Sequence, residues 1–302
     1  MGACTGGHAQ NPFARLSFDR FIAAIGLLVL PLVSGCTAVV PLEQAGSLSS
    51  YQRLEASNGL LTRAQVSVSK DEVLAAKTVR IVPTSFRATE DGPKLSDAQK
   101  KLIANAVDRS LCVGLSDRYQ IVLSAQPADL TVRIFITRII GTDETAAAVS
   151  RAASIATRVA TAVASVSVPV PSLRIPIGLG GLALEAEALD PAGRQKAAMV
   201  WARGADTLTS RPKVSSAGDA YDLAAAFGSD FSKLLVTGTD PFKALPSPPS
   251  MQRIGSMLGV APKQAACEAF GRGAGVPGLL GGAIGLPPEW TDKGAQPDAQ
   301  PQ

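Results

Sequence analysis

The sequence predicts an α+β fold: an antiparallel or mixed sheet of about four to five strands with two amphipathic helices on one face. Three observations carry this. The stretches 77–86, 119–123, 129–141, 182–189 and 197–205 read as strands, most of them alternating apolar with polar residues and rich in β-branched side chains. Two stretches, 96–117 and 217–235, repeat apolar residues at helical spacing. In a chain of 302 residues, 46% hydrophobic and 18% charged residues are enough to bury a core and too apolar for wholesale disorder.

The first 35 residues read as a signal peptide. Arg15 and Arg20 precede an uncharged run at 21–33, FIAAIGLLVLPLV, which is short for a bilayer span and suits a signal-peptide core. Val33-Ser34-Gly35-Cys36 then resembles the lipobox of bacterial lipoproteins. That resemblance implies cleavage between Gly35 and Cys36 and acylation of Cys36, with palmitate among its chains. The alternative is an ordinary signal peptide in which Cys36 is incidental. Acyl chains contribute about 0.8 kcal/mol per buried methylene, so several together anchor stably. Thr37 stands where an Asp would retain a lipoprotein at the inner membrane. By resemblance to those sorting rules, the expected address is the outer membrane, facing the periplasm, with the inner membrane as the lesser alternative.

Residues 36–69 are expected to form the lipidated anchor and an irregular linker, with Tyr51, Leu54, Leu60 and Leu61 available to dock on a core. The domain proper is expected over 70–238. Its first strand, in 77–86, ends near Pro83. Ser96 suits the N-cap of a helix reaching about 117, with Leu95, Leu102, Ala106 and Val113 on one stripe and Cys112 roughly opposite it. Two strands follow. An alanine-rich insert occupies 144–180, and between 159 and 184 its sole charge is Arg174. Pro169, Pro171 and Pro176 count against a membrane-inserting hairpin there. A helix and loop packed over the sheet, or against another copy, is the other reading. Asp190-Pro191-Ala192-Gly193 supplies turn residues between the last two strands. The second helix carries Ala220, Leu223, Ala224, Phe227, Phe231 and Leu234 on one face, and Ser216 with Asp219 resembles a capping box. A Pro/Gly-rich, irregular tail is expected over 239–302, disordered after about 292.

Chemistry is limited by what is missing. The only histidine, His8, lies in the segment to be removed, which excludes Ser-His-Asp, Cys-His and histidine–metal systems from the mature chain. Glu185 and Glu187 share a strand face. A carboxylate pair can serve a hydrolase, but alternation with Leu184, Ala186 and Ala188 fits the solvated face of an amphipathic strand. Cys112 and Cys267 are left besides Cys36, and an oxidising periplasm favours a disulfide between them over two free buried thiols. No Cys-x-x-Cys occurs. Gly271, Gly273 and Gly275 lack the preceding strand and following Lys-Ser/Thr of a phosphate loop, so no nucleotide is expected. The net charge of +4 is dispersed, which excludes nucleic acid as an expected partner. No metal or cofactor and no catalytic residue is expected.

The lipobox, SLSSYQRL, KTVRIVP, LEAEALDPAGRQKAA and GDAYDLAAAF together resemble the bacterial lipoproteins classed as domain of unknown function 3313, over about residues 45–240. The chain departs from that pattern with Arg194 after the turn glycine, where an acidic residue is expected, and with its alanine-rich insert. The tail from Cys267 through GLPPEWTDKG is similar to an extension of some members. The resemblance implies an α+β envelope lipoprotein and supplies no activity. Three functions follow as expectations. The first is a non-enzymatic module, bound to the membrane through its N-terminal lipid, that binds other envelope proteins or itself. The second is a subunit of an outer-membrane pore or transport machine in which 144–184 inserts or oligomerises. The third is a histidine-free enzyme.

Overall fold

Strand alternation sends successive side chains to opposite faces, and the chain uses it to build one mixed sheet. The computed structural model describes residues 38–87, 93–122, 126–152, 174, 177–207, 209–243, 248–292 and 294. Its strands are β1 (Glu55–Ala56), β2 (Thr62–Val68), β3 (Thr78–Ile81), β4 (Ser85–Phe86), β5 (Gln120–Val122), β6 (Leu130–Ile140), β7 (Gly181–Leu189) and β8 (Gln195–Gly204). They lie in the order β1-β2-β8-β7-β6-β3-β5, with β4 pairing β6. The long central pairs, β2–β8, β8–β7 and β7–β6, are antiparallel. β3 runs parallel to both β5 and β6, as β4 does to β6.

Eight strands exceed the expected four or five. The largest addition is β2, which falls inside the stretch expected to be a linker. Its sequence, TRAQVSV, alternates, with Ala64 and Val66 buried, and all seven residues pair with β8, from Thr62↔Arg203 to Val68↔Ala197. The two-residue strands β1 and β4 are too short to show any period. Leu60, expected to dock, is 99% exposed at the turn before β2.

The helices are α1 (Lys70–Ala75), α2 (Asp97–Leu115), α3 (Gly218–Thr237), α4 (Met251–Met257), α5 (Gly275–Ala283) and α6 (Pro288–Thr291), with a 3-10 turn at Ala265–Phe270. Residues 144–152 are also helical. Ser96 caps α2 as expected: its side chain accepts from the Gln99 N–H, while the Gln99 carboxamide accepts from the Ser96 N–H. Helices α2 and α3 lie side by side on one sheet face. They approach closely where side chains are small: a Cβ on Gly114 would overlap Ser232, and one on Gly228 would overlap Ser110.

The α3 stripe enters the core whole. Phe227 stacks on Phe231 and meets Trp201 of β8 edge-on at 5.7 Å, and the Trp201 indole donates to Asp230 at 2.9 Å. Two expectations about the helices fail. The N-cap of α3 is Ala217, whose methyl cannot cap; the N–H groups of the expected Ser216–Asp219 box donate instead to Glu144 and Thr142. Cys112 does not lie off the core of α2; it packs in the main core with Ile103, Val107, Leu111 and Leu115. Ala106 and Val113, from the expected core stripe, are buried, Ala106 within the main core, and both also line a cleft. Helix α2 is covered on two sides, so one apolar stripe could not identify its buried face.

The C-terminal stretch is not an irregular tail. Helices α4, α5 and α6 and the 3-10 turn occupy it as far as Thr291. Most of the segment expected to be disordered after 292 lies outside the described residues.

Candidate functional site

Alternation along β7 sends Ala183, Glu185 and Glu187 to the sheet face away from α2 and α3. The sequence reading makes this a solvated face. The structure corrects it: Glu185 and Glu187 are 0% exposed. Residues 38–54 lie across that face as a strap. A carboxylate taken from water needs donors in place of it, and the strap supplies them. Glu185 accepts from Ala45 N at 2.7 Å, Ser47 N at 2.9 Å and the Tyr51 hydroxyl at 2.8 Å. Glu187 accepts from Ser49 N at 2.8 Å, Ser49 Oγ at 3.1 Å and Gln195 Nε2 at 3.0 Å. Arg133, directly opposite Glu187 on β6, pairs with it at 2.8 Å. Burial, with Glu185 beside it, pushes the Tyr51 hydroxyl above its ordinary pKa.

Apolar packing completes the strap. Val40 sits with Ala183 and Ala202, and Leu48 with Ala198 and Val200. Ala38 N donates to Ala205 O at 3.0 Å. Glycine makes this approach feasible, since a Cβ on Gly204 would overlap the Ala38 carbonyl and one on Gly181 would overlap Val40. Gly35 and Cys36 lie outside the described residues, Cys36 two positions before Ala38 in the chain.

On the opposite face, the C-terminal segment is fastened over α2 and α3. A disulfide joins Cys112 of α2 to Cys267, with their Cα atoms 5.7 Å apart. Gln264 bridges the edge of the sheet, accepting from Ile121 N at 2.7 Å and donating to Tyr119 O at 2.6 Å. Asp292 accepts from Arg109 at 2.5 Å and from the Tyr221 hydroxyl at 2.6 Å. Glu289 accepts from Ser215 Oγ at 2.6 Å and Gln99 Nε2 at 2.8 Å.

Between this segment and the two long helices lies a cleft of about 480 Å³. Ala106, Val113 and Ala225 form its floor, and Met257, Leu279 and Leu286 one wall. Arg109, Arg211, Lys213 and Arg253 line it against the single carboxylate Asp222. Lys213 pairs with Asp222 and Arg109 with Asp292. The cleft therefore offers an apolar surface with excess positive charge. Gly273 and Gly275 line it, but they pack against the end of α4, near Ser256 and Leu258. Among the described residues, no three His, Cys, Asp or Glu side chains gather as metal ligands.

Part of the alanine-rich insert is integral to the domain. Arg174 is buried and grips Asp219 with two bonds of 2.6 and 2.7 Å. Asp219 also accepts from Gly180 N at 2.8 Å and Thr142 Oγ1 at 2.9 Å. An inserting hairpin over all of 144–184 is not what these residues build, since 144–152, 174 and 177–184 fold into the domain; 153–173 lie outside the described residues.

Residues 43–231, more than half of the chain, match the model of a family described as "Protein of unknown function (DUF3313)". The chain belongs to the DUF3313 family. The match starts within the strap and ends within α3, so the disulfide-linked C-terminal segment lies beyond the DUF3313 match. No curated protein matches the chain. Among solved structures, a PelC dodecamer from Paraburkholderia phytofirmans is 8% identical, covering 59% of this chain and 99% of that one with a TM-score of 0.32. A DUF4136 family protein from Bacteroides thetaiotaomicron is also 8% identical, covering 58% of this chain and 97% of that one with a TM-score of 0.30. Likenesses of that size say nothing about how this DUF3313 chain works.

Proposed function

We propose that this DUF3313 chain is a lipid-anchored, non-enzymatic binding or assembly module of the bacterial cell envelope, held on the outer membrane by acylated Cys36 and facing the periplasm. One observation carries the reading: the strap is bonded to the sheet from Ala38 onward. An extended chain spans at most about 3.6 Å per residue, so the lipid on Cys36 would lie within about 7 Å of the folded domain. Anchoring would then hold the domain directly on the bilayer rather than at the end of a tether. The lipobox-like VSGC supports the same reading, and the loss of the sole histidine with the leader supports a binding role. The cleft supplies a surface for an envelope protein or a second copy.

Intact-mass analysis of the native protein tests the anchor. The expected result is a chain beginning at acylated Cys36, in the membrane fraction, with Cys36→Ser released from it. An unmodified cytosolic chain beginning at Met1 overturns the proposal. In-cell crosslinking tests the binding role, and recovery of neither self nor any envelope protein counts against it.

A further inference from the structure

One pole of the domain gathers the point where the chain leaves toward Cys36 and a ring of exposed apolar side chains. Its position follows from a continuous series of contacts. Ala38 N donates to Ala205 O, and Ala205 N donates to Gly180 O at 2.8 Å. Gly180 N donates to Asp219 at the start of α3. Thr142 N donates to Ser216 O at 3.0 Å, and Val214 N donates to Gly285 O at 3.1 Å, just past α5. Glu289 of α6 binds Ser215 in the same place. Both described flanks of 153–173 also lie here: Arg151 donates to Ala283 O, and Arg174 binds Asp219.

Large apolar side chains project around this point. Val39 is 78% exposed, Ile177 66%, Trp290 65%, Ile284 60% and Val149 53%. Each belongs to a different segment. Exposed apolar side chains scattered singly are ordinary, whereas several converging on one end mark a contact surface. Two exposed carboxylates lie nearby, each holding a backbone N–H: Asp143 accepts from Ala146 N at 2.9 Å and Glu144 from Ser216 N at 2.9 Å.

We infer that this pole sits in the headgroup and acyl boundary of the bilayer, as a second membrane contact beside the lipid on Cys36. The occupant follows from where the chain leads. The segment that would carry the acyl group emerges among these side chains, which a tether of two residues brings to the lipid surface. The inference rests on the anchoring proposed above and adds an orientation: sheet ends and α3 N-terminus toward the membrane, the turn at Asp190 away from it. Aromatic side chains favour that interface, and Trp290 is placed to enter it.

The chain's two tryptophans make the test selective, because Trp201 is fully buried and Trp290 is exposed. The full lipidated protein is reconstituted in phosphatidylcholine vesicles, with and without bromine on the acyl chains. The expected result is a blue shift of Trp290 emission and loss of its intensity on brominated lipid. Trp290→Phe must abolish both signals, and Ile177→Glu with Ile284→Glu, at exposed positions, must diminish them. An acylated protein whose Trp290 keeps its intensity on brominated lipid overturns the inference while leaving the anchor intact. Shielding of Trp290 from acrylamide without bromine quenching also overturns it, in favour of a protein partner at this pole. A chain found unmodified at Cys36 defeats the anchor instead. In that case, quenching of the unmodified chain still supports the lipid contact, and its absence overturns it.

Discussion

Asp108 carries a buried carboxylate with no cation beside it among the described residues. Its oxygens accept from the Thr84 N–H at 3.0 Å and the Thr84 hydroxyl at 2.5 Å. Burial pushes its pKa up to about 7 from an ordinary 3.8, against the opposing effect of the Thr84 bonds. The folded chain therefore binds this proton more tightly than the unfolded chain. Its stabilising contribution is complete below the unfolded value and is lost as pH rises through about 7. At 1.36 kcal/mol per unit, the loss is about 4 kcal/mol at most. The urea midpoint of the wild type is expected to fall between pH 5 and pH 8. Asp108→Asn, which keeps an acceptor for Thr84 and cannot ionise, is expected to flatten that slope and to be the more stable protein at the alkaline end. An unchanged slope in the variant would show that Asp108 is not the group responsible. Glu185 presents the opposite case, a buried carboxylate fully supplied with donors. Glu185→Ala strands the N–H groups of Ala45 and Ser47 and the Tyr51 hydroxyl, at about 1–3 kcal/mol per unsatisfied group. Amide exchange over 38–54 is expected to accelerate in that variant, with β6 and β7 protected.

At the scale of elements, the features legible in the sequence are those written by local physics. The α3 stripe at 3.6 spacing, the Ser96–Gln99 box and the Asp190 turn each need only their own neighbours. In that turn, Asp190 accepts from Ala192 N and Arg194 N. What a strand face meets is a different question. Alternation places Glu185 and Glu187 on one side of β7, but nothing in LALEAEAL says that a segment some 140 residues upstream covers them. The clue available was the strand itself, whose other residues are all apolar. Helices α4 to α6 were illegible for another reason. GVPGLLGGA is a poor helix former, and the segment around it is fastened to the rest of the domain through Cys267, Glu289 and Asp292. The disulfide was legible as an even pair of cysteines, although Cys112 lies in the core rather than off it. Closing a separation of 155 residues constrains the unfolded chain by about 5 kcal/mol before strain. Cys112→Ala/Cys267→Ala is expected to lose up to that much and to admit protease between 248 and 266. Unchanged proteolysis would mean that the polar contacts of Gln264 and Asp292 suffice to hold the segment.

The whole molecule has the α+β class that its strand and helix patterns foretell, and it has one layer more than they show. Helices cover one sheet face; the strap covers the other. On the cleavage and acylation at Cys36 proposed above, the strap would link folding to maturation in the DUF3313 chain. A peptidase that cut between Gly35 and Cys36 would need extended chain on both sides of the bond. Once docked, the strap offers it only Thr37 before the backbone is committed to β8 and the carboxylates of β7. On that proposal, sealing of the outer face would follow processing, and a strap that settled early would bar it. Until the strap docked, Glu185 would lack the donors it takes from Ala45, Ser47 and Tyr51, while Glu187 would keep Gln195 and Arg133 on the sheet.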